Sequence, residues 1–336
     1  MTGTSDVGGS MPGLEADVVQ AYLSFANQAQ EDCPAYDRLA RAVSNDADLI
    51  QRLTTLPPPK RQPNLLFGVT KLLGGPQADY PEFAQWVRLR WNNVVDEITR
   101  RRTQTNEAGR CATLLPVLAE AGRPLALLEV GASAGLTLYP DRYRYAYDTP
   151  GGPLTLGDDP NAPELVCRAG PGVQIPSTLP SVTWRAGLDL NPLDVSDPDT
   201  LAWLAALIWP GQPEREDRLR RAAQIVAADP PLLVTGDLLT DLPALAAQAP
   251  ADAQLVIQHT AVLAYVDPDA RAEFSEIAMR LVADGAVWIS NEGAAVMLPK
   301  SAPDSLVARA RGRFVLSVNG APRYFTGGHG QSIDLV

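Results

Sequence analysis

The chain has 336 residues, is 46% hydrophobic and carries a net charge of −11. That is enough apolar material for one large domain or two ordinary ones. The acidity argues against nucleic-acid and anionic-membrane partners, which are held by basic patches. Three scattered cysteines, Cys33, Cys111 and Cys167, give no CxxC pair and no disulfide framework, and His259 and His329 are the only histidines. A reducing, cytoplasmic setting with no metal centre is therefore expected.

No signal-peptide pattern opens the sequence, and no apolar run reaches the ~18 residues of a membrane span. Residues 1–13, rich in Gly, Ser and Thr, read as a disordered tail. Residues 14–123 read as an all-helical cap domain of about five helices. Phe83, Val87, Trp91, Val94 and Ile98 recur at helical steps and form one apolar face. Two polar strings interrupt it, Arg61-Gln-Pro-Asn64 and Gln104-Thr-Asn-Glu-Ala-Gly-Arg110. The second is expected to start a helix with Thr105 or Asn106 as N-cap, kinked at Pro116 and stopped at Gly122. Either the string caps and solvates that helix, or Asn106, Glu107 and Arg110 point into a cleft, with Asn106 and Arg110 on one helix face.

Residues 124–336 alternate strand and helix, the pattern of an α/β domain with a doubly wound, mostly parallel Rossmann-like sheet. Leu125 to Val130 reads as a buried strand ending in Gly131-Ala-Ser-Ala-Gly135, and Leu136 to Leu138 as the start of a helix. Small residues let a ligand approach the backbone, and a helix start offers free N–H groups. Asp141 to Asp148 reads as an exposed strand, and residues 149–180 as the irregular part of an insertion over about 139–180. Val182 to Leu188 is a strand leading into Asp189-Leu-Asn-Pro192. Helices follow over 197–208 and 213–228, separated by Trp209-Pro-Gly-Gln212. Leu232 to Thr235 leads into Gly236-Asp237, and Leu255 to Ile257 into Gln258-His259. A helix from Asp267-Pro268, a strand over 286–290 and a hairpin around Asn319-Gly320 complete the pattern.

Glu129-x-Gly131-x-Ser133-x-Gly135 after a strand resembles the first motif of class I S-adenosylmethionine-dependent methyltransferases. Gly187-Leu-Asp-Leu-Asn-Pro192 resembles the second, and Gly236-Asp237 followed by Leu242-Pro243 the third. The resemblance implies that Glu129, Gly131, Ala132, Ser133 and Gly135 hold the methionine part of S-adenosylmethionine. It also implies that Asp189 and Leu190 take the ribose and its surroundings, and Asp237 and Leu238 the adenine side. Asp189 lies well beyond the usual ~20-residue spacing, so Asp148 competes with it as the ribose acid. His259 falls where the fourth motif lies and is expected to act as a general base or to orient the acceptor; the alternative is a structural, hydrogen-bonded histidine. His329, in a Gly-rich tail, is the poorer candidate.

Along nearly its whole length the chain also resembles a bacterial family, DUF2332. The matching segments include Arg61-Gln-Pro-Asn64, Gln104 to Arg110, Asp141-Arg-Tyr-Arg-Tyr145, Trp209-Pro-Gly-Gln212 with Arg215, and His329-Gly330. Trp209, Gln212 and Arg215 thereby join Asn106, Glu107 and Arg110 as expected substrate contacts. The expected function is methyl transfer from S-adenosylmethionine to a small molecule. A non-catalytic nucleotide- or metabolite-binding protein on the same fold stays open. A nicotinamide-dependent oxidoreductase is disfavoured by the missing G-x-G-x-x-G.

Overall fold

The computed structural model describes residues 12–104, 106–298 and 303–336. The tail at residues 1–11 and the N-cap candidate Thr105 lie outside them. Two compact units are present. One holds the described residues up to 104 together with Ala202–Glu216, and the other Asn106–Leu201 with Asp217–Val336. The division falls at Asn106 and not after residue 123. The helix α7, Cys111–Leu118, is apolar and buried all round, so it needs enclosure on every side and stays with the sheet. Among the described residues no helix is long and apolar enough to cross a membrane.

The first unit contains α1 (Pro12–Asp32), α2 (Pro34–Ser44), α3 (Ala47–Thr54), α4 (Pro63–Leu72), α5 (Tyr80–Leu89) and α6 (Trp91–Arg100). The apolar series from Phe83 to Ile98 is shared between two helices, because the chain turns at Arg90. Phe67 sits at the aromatic centre, with the rings of Tyr22, Phe25, Tyr36 and Phe83 at 4.8–6.0 Å. Arg61 donates to the carbonyls of Leu56 (2.8 Å) and Thr54 (3.1 Å), closing the end of α3. The helices α8 (Pro198–Leu207) and α9 (Pro213–Ala228) span the division between the units.

The second unit is built on eleven strands. They are β1 (Leu125–Val130), β2 (Arg144–Thr149), β3 (Gly152–Leu156), β4 (Glu164–Ala169), β5 (Val182–Asp189), β6 (Leu232–Thr235), β7 (Gln254–Thr260), β8 (Val287–Gly293), β9 (Phe314–Val318), β10 (Ala321–Thr326) and β11 (Ser332–Leu335). Their order is β3-β2-β4-β11-β10-β9-β8-β7-β1-β5-β6. The block β6-β5-β1-β7-β8 is parallel throughout. From β1 the chain steps outward through β5 to β6, then returns to β7 on the other side of β1. That reversal is a topological switch point at the carboxyl ends of β1 and β7, the place where sheets of this kind bind ligands. One face packs Leu128, Val130, Ile257 and Trp288 against α10 (Leu242–Ala246) and α11 (Pro268–Ala283), chiefly through Leu245, Phe274 and Ile277.

Residues 149–180 are more regular than their Pro and Gly content suggests, because β3 and β4 lie there. β11 ends the chain and joins β4 to the main sheet. β2 is not exposed on both faces. Tyr143, just before it, and Tyr145 and Tyr147 within it are 1% exposed. Their hydroxyls donate to the carbonyls of Leu136, Pro140 and Ala112. The last of these bonds has a local cause. Pro116 lies inside α7 and has no N–H to return to Ala112, so the freed carbonyl takes the Tyr147 hydroxyl at 2.6 Å.

Candidate functional site at the carboxyl edge of the parallel strands

The loop after β1 carries three residues at positive φ: Gly131 (69°), Ser133 (51°) and Gly135 (71°). Its amides are spent inside the protein. Gly131 and Ala132 donate to the Leu188 carbonyl (2.7 and 3.3 Å), and Gly135 to that of Ala132 (2.7 Å). Ser133 N–H donates to Asp189 Oδ2 (2.7 Å), and Ala134 N–H to Asn106 Oδ1 (2.9 Å). The Asn106 amide also donates to the Ser133 hydroxyl. Residues 136–138 form a single 3-10 turn and no α-helix follows. The expected cradle of free N–H groups at a helix start is therefore not formed.

Gly131 is required for a different reason than ligand approach. A Cβ at this position would run into the Val262 side chain. Gly131→Val is expected to destabilise the fold itself, by about 2–5 kcal/mol from positive φ and overpacking together. A chemical denaturation midpoint equal to wild type would contradict this.

Asp189 ends β5 beside that loop. Besides the Ser133 amide, it accepts Asn191 N–H at 2.7 Å. It is half-buried, and the next residue, Leu190, is 64% exposed. The neighbouring β6 leads into Gly236, whose N–H donates to the Asp189 carbonyl (3.0 Å). Asp237 follows, exposed, with Oδ1 accepting Leu239 N–H (2.8 Å), and Leu238 is partly covered. The competing acid, Asp148, is exposed on β2, opposite Pro153 and Arg168, near the other end of the strand order. Of the two carboxylates, Asp189 is the one at the glycine loop.

Glu129 and Gln258 are register partners on β1 and β7, and both are buried. Gln258 Nε2 donates to the Thr137 carbonyl (3.2 Å) and hydroxyl (3.3 Å). That hydroxyl in turn donates to Glu129 Oε1. Among the described residues, Glu129 Oε2 and Gln258 Oε1 have no hydrogen-bond partner. Burial pushes the Glu129 carboxyl up to about 8, against smaller opposing effects from the Thr137 hydroxyl and Arg110. The neutral acid brings an O–H donor into this buried region. At neutral pH Glu129 is thus a poor counter-charge for a ligand ammonium, contrary to the role the motif resemblance implies.

His259 is 0% exposed. The Trp288 indole N–H can only donate, so His259 Nε2 accepts it (3.1 Å) and the ring proton lies on Nδ1, toward Glu292 Oε1 (2.7 Å). Glu292 also takes Val262 N–H. Both ring nitrogens are committed, so His259 has none to offer an acceptor. The expected general-base role is not supported by this geometry.

The 104–110 string is neither a solvated helix face nor a set of cleft-lining groups on one helix. Asn106 lies outside any helix or strand, at the glycine loop. Glu107 caps a 3-10 turn, Ala108–Arg110, through Gly109 N–H (3.0 Å) and accepts Arg218 Nε (2.8 Å). Arg110 donates to the Gly328 carbonyl (2.9 Å) and to the carbonyl and hydroxyl of Thr260 (3.1 and 3.2 Å). Residues 106–110 thus lace the β1 loop, the end of β7 and the 327–331 loop together. Asn106 and Asp189 both hydrogen-bond Ser133.

Trp209, Gln212 and Arg215 belong to the helical unit. The Trp209 ring packs on Phe25 at 5.2 Å and its N–H reaches Asn64 Oδ1 (3.1 Å), while Arg215 donates to Gln212 Oε1 (2.7 Å). Arg218, which anchors Glu107, was not singled out by the sequence, because it lies in a charge-dense run that reads as solvated. Its one signal is the i,i+4 step to the buried Ala222.

A family model described as "Uncharacterized protein conserved in bacteria (DUF2332)" matches residues 19–334. The chain belongs to the DUF2332 family. No curated protein matches it. The DUF2332 match takes in both polar strings, the glycine loop, Asp189 and the 327–331 loop, so these residues are framework of a family member rather than of an appended segment.

Proposed function

We propose that this DUF2332 protein binds S-adenosylmethionine at the carboxyl edge of β1, β5 and β6 and transfers its methyl group to a small acceptor. One observation carries the reading. Asp189, hydrogen-bonded to the glycine-loop amide, stands beside a 64% exposed Leu190 at the end of β5. Each carboxylate oxygen already accepts one amide and keeps a further lone pair, which suits the two hydroxyls of a ribose. An exposed leucine next to it suits the face of a base. The adenosine end therefore fits the residues present. The methionine end has no ionised partner in Glu129 and no spare amide in residues 131–135.

When bound, S-adenosylmethionine supplies an electrophilic methyl carbon, and positioning of an acceptor can provide much of the rate. The contribution of this chain is rigidity. Asn106 fixes Ser133 and Ala134, and Asp189 fixes Ser133 from the other side. The sealed His259 favours one second reading, a binder of the same ligand that does not turn it over.

S-adenosylmethionine and S-adenosylhomocysteine are expected to raise the melting temperature, and NAD to leave it unchanged. Saturation at about 100 times the Kd adds ~2.7 kcal/mol of stability. Asp189→Ala is expected to weaken the ligand by roughly 1.5–3 kcal/mol, with Asp148→Ala as the variant that does not. A shift with NAD alone overturns the proposal. Binding with no methyl transferred to any acceptor fraction selects the non-catalytic reading.

A further inference from the structure

Residues 60–62 and 101–103 lie side by side in the helical unit. Lys60 Nζ donates to the Arg101 carbonyl (2.5 Å), and the Thr103 hydroxyl donates to Gln62 Oε1 (2.8 Å). Both stretches are stiff. Pro57, Pro58 and Pro59 precede Lys60 and Pro63 follows it, which fixes the backbone on either side. On the other stretch the Trp203 indole N–H holds the Arg102 carbonyl (3.0 Å), and the Arg101 guanidinium lies over the Trp203 ring at 5.2 Å. Backbones pinned in this way place their side chains before any ligand arrives, which lowers the ordering cost of binding.

The charge at this point is one-sided. Lys60, Arg61, Arg100, Arg101 and Arg102 all fall here. Arg61 is bonded to the carbonyls that end α3. Glu97 pairs with Arg100 (2.5 Å) and Arg101 (2.7 Å). Among the described residues no carboxylate pairs with Lys60 or Arg102. Lys60 is half-buried and Arg102 is exposed. Burial, and after it the positive charge of Arg102, hold the Lys60 ammonium below the ordinary lysine range. A like charge beside a half-buried ammonium is unfavourable, and an anion between the two relieves it. Capping of the Arg101 carbonyl at the end of α6 accounts for one of the three Lys60 N–H donors and for nothing of Arg102.

We propose that Lys60 and Arg102 form a binding site for a doubly charged phosphate group. Two cations match its two charges. The guanidinium fork suits two phosphate oxygens, and the ammonium acts as a point charge on a third. The site lies within the helical unit and does not rest on the S-adenosylmethionine reading.

The test is protection of Lys60 from acetylation by an N-hydroxysuccinimide ester. It uses the full chain at pH 8, with ionic strength held by sodium chloride and peptide mass spectrometry as the readout. The chain has three lysines, Lys60, Lys71 and Lys300. Lys71 reports general effects on the reagent or the fold, because its donors go to the Ala205 and Ile208 carbonyls and Glu216. Inorganic phosphate and methyl phosphate are expected to protect Lys60 and to leave Lys71 unchanged. Dimethyl phosphate carries one charge and is expected to need an about tenfold higher concentration. Arg102→Gln is expected to raise the phosphate concentration for half protection about tenfold. Arg100→Gln, whose arginine is already paired with Glu97, is expected to leave it unchanged. Protection by both phosphates marks a group carried on a larger molecule, and protection by inorganic phosphate alone marks the free ion; either supports the site. Equal protection by dimethyl phosphate overturns the proposal. So does an unchanged half-protection concentration in Arg102→Gln, or an equal rise in Arg100→Gln. Should Arg102→Gln fail to fold, the comparison of phosphates on the wild-type chain decides alone. No S-adenosylmethionine is present, so a missing thermal shift with that ligand leaves the phosphate site standing, and lost protection leaves the methyltransferase reading untouched.

Discussion

Glu129→Gln is expected to stabilise the protein at pH 8 and to change little at pH 4–5. The Glu129 carboxyl stands at about 8 in the fold, against 4.5 for an ordinary glutamate, because it is buried. The native state therefore holds a proton that the unfolded chain releases above about 4.5. The stability this contributes is complete below the unfolded value and is lost as pH rises through the folded one. At 1.36 kcal/mol per pKa unit, the loss is on the order of 3–5 kcal/mol across that window. Glutamine is nearly isosteric and permanently neutral. Its carbonyl takes the Thr137 hydroxyl as Glu129 Oε1 does. The urea midpoint of wild type is expected to fall between pH 5 and pH 8, and that of the variant to fall much less. Parallel pH profiles for the two proteins would show that Glu129 is ionised in the fold.

Glu292→Ala is expected to cost about 3–5 kcal/mol, as removal of one partner from a buried pair does. It strands two donors at once, His259 Nδ1–H and Val262 N–H. The damage should spread to the glycine loop. Val262 fills the space over Gly131, and Ala261 before it holds a positive φ of 57°. Equilibrium unfolding measures the cost, and amide exchange at Gly131 to Gly135 measures the spread. Glu292→Gln keeps one acceptor and should recover part of the loss. A midpoint within 1 kcal/mol of wild type would contradict the sealed arrangement and reopen His259 as a chemical group.

The readable part of this fold is the part in which neighbours in sequence decide the outcome. Leu125 to Val130 is a short apolar run ended by glycine, and it forms the fully buried central strand. β5 to β8, α9, α11 and the hairpin at Asn319-Gly320 also lie close to where periodicity puts them. β3, β4 and β11 were not legible because each is short and takes its strand character from a partner. β4 pairs with β2 on one side and β11 on the other, and β11 begins more than 160 residues later. Local propensity carries no record of such pairing.

The candidate site divides in the same way. The sequence by itself determined that Gly131, Ser133 and Gly135 form a sharp turn after a buried strand, that Asp189 ends another strand, and that only two histidines exist to do proton chemistry. Only the tertiary structure decided what each one touches. Asp148 and Asp189 are both acids near strand ends, and the strand order alone puts Asp189 at the loop. His259 stands between Gln258 and Thr260, and His329 between two glycines. His259 is closed because Trp288 and Glu292, 29 and 33 residues away, take both its nitrogens. The loop that carries His329 is seated on the turn Ala108–Arg110 because Gly109 and Gly330, more than 200 residues apart, can touch without side chains. Burial and hydrogen-bond partners set a titratable group's chemistry, and both come from contacts between distant parts of the chain.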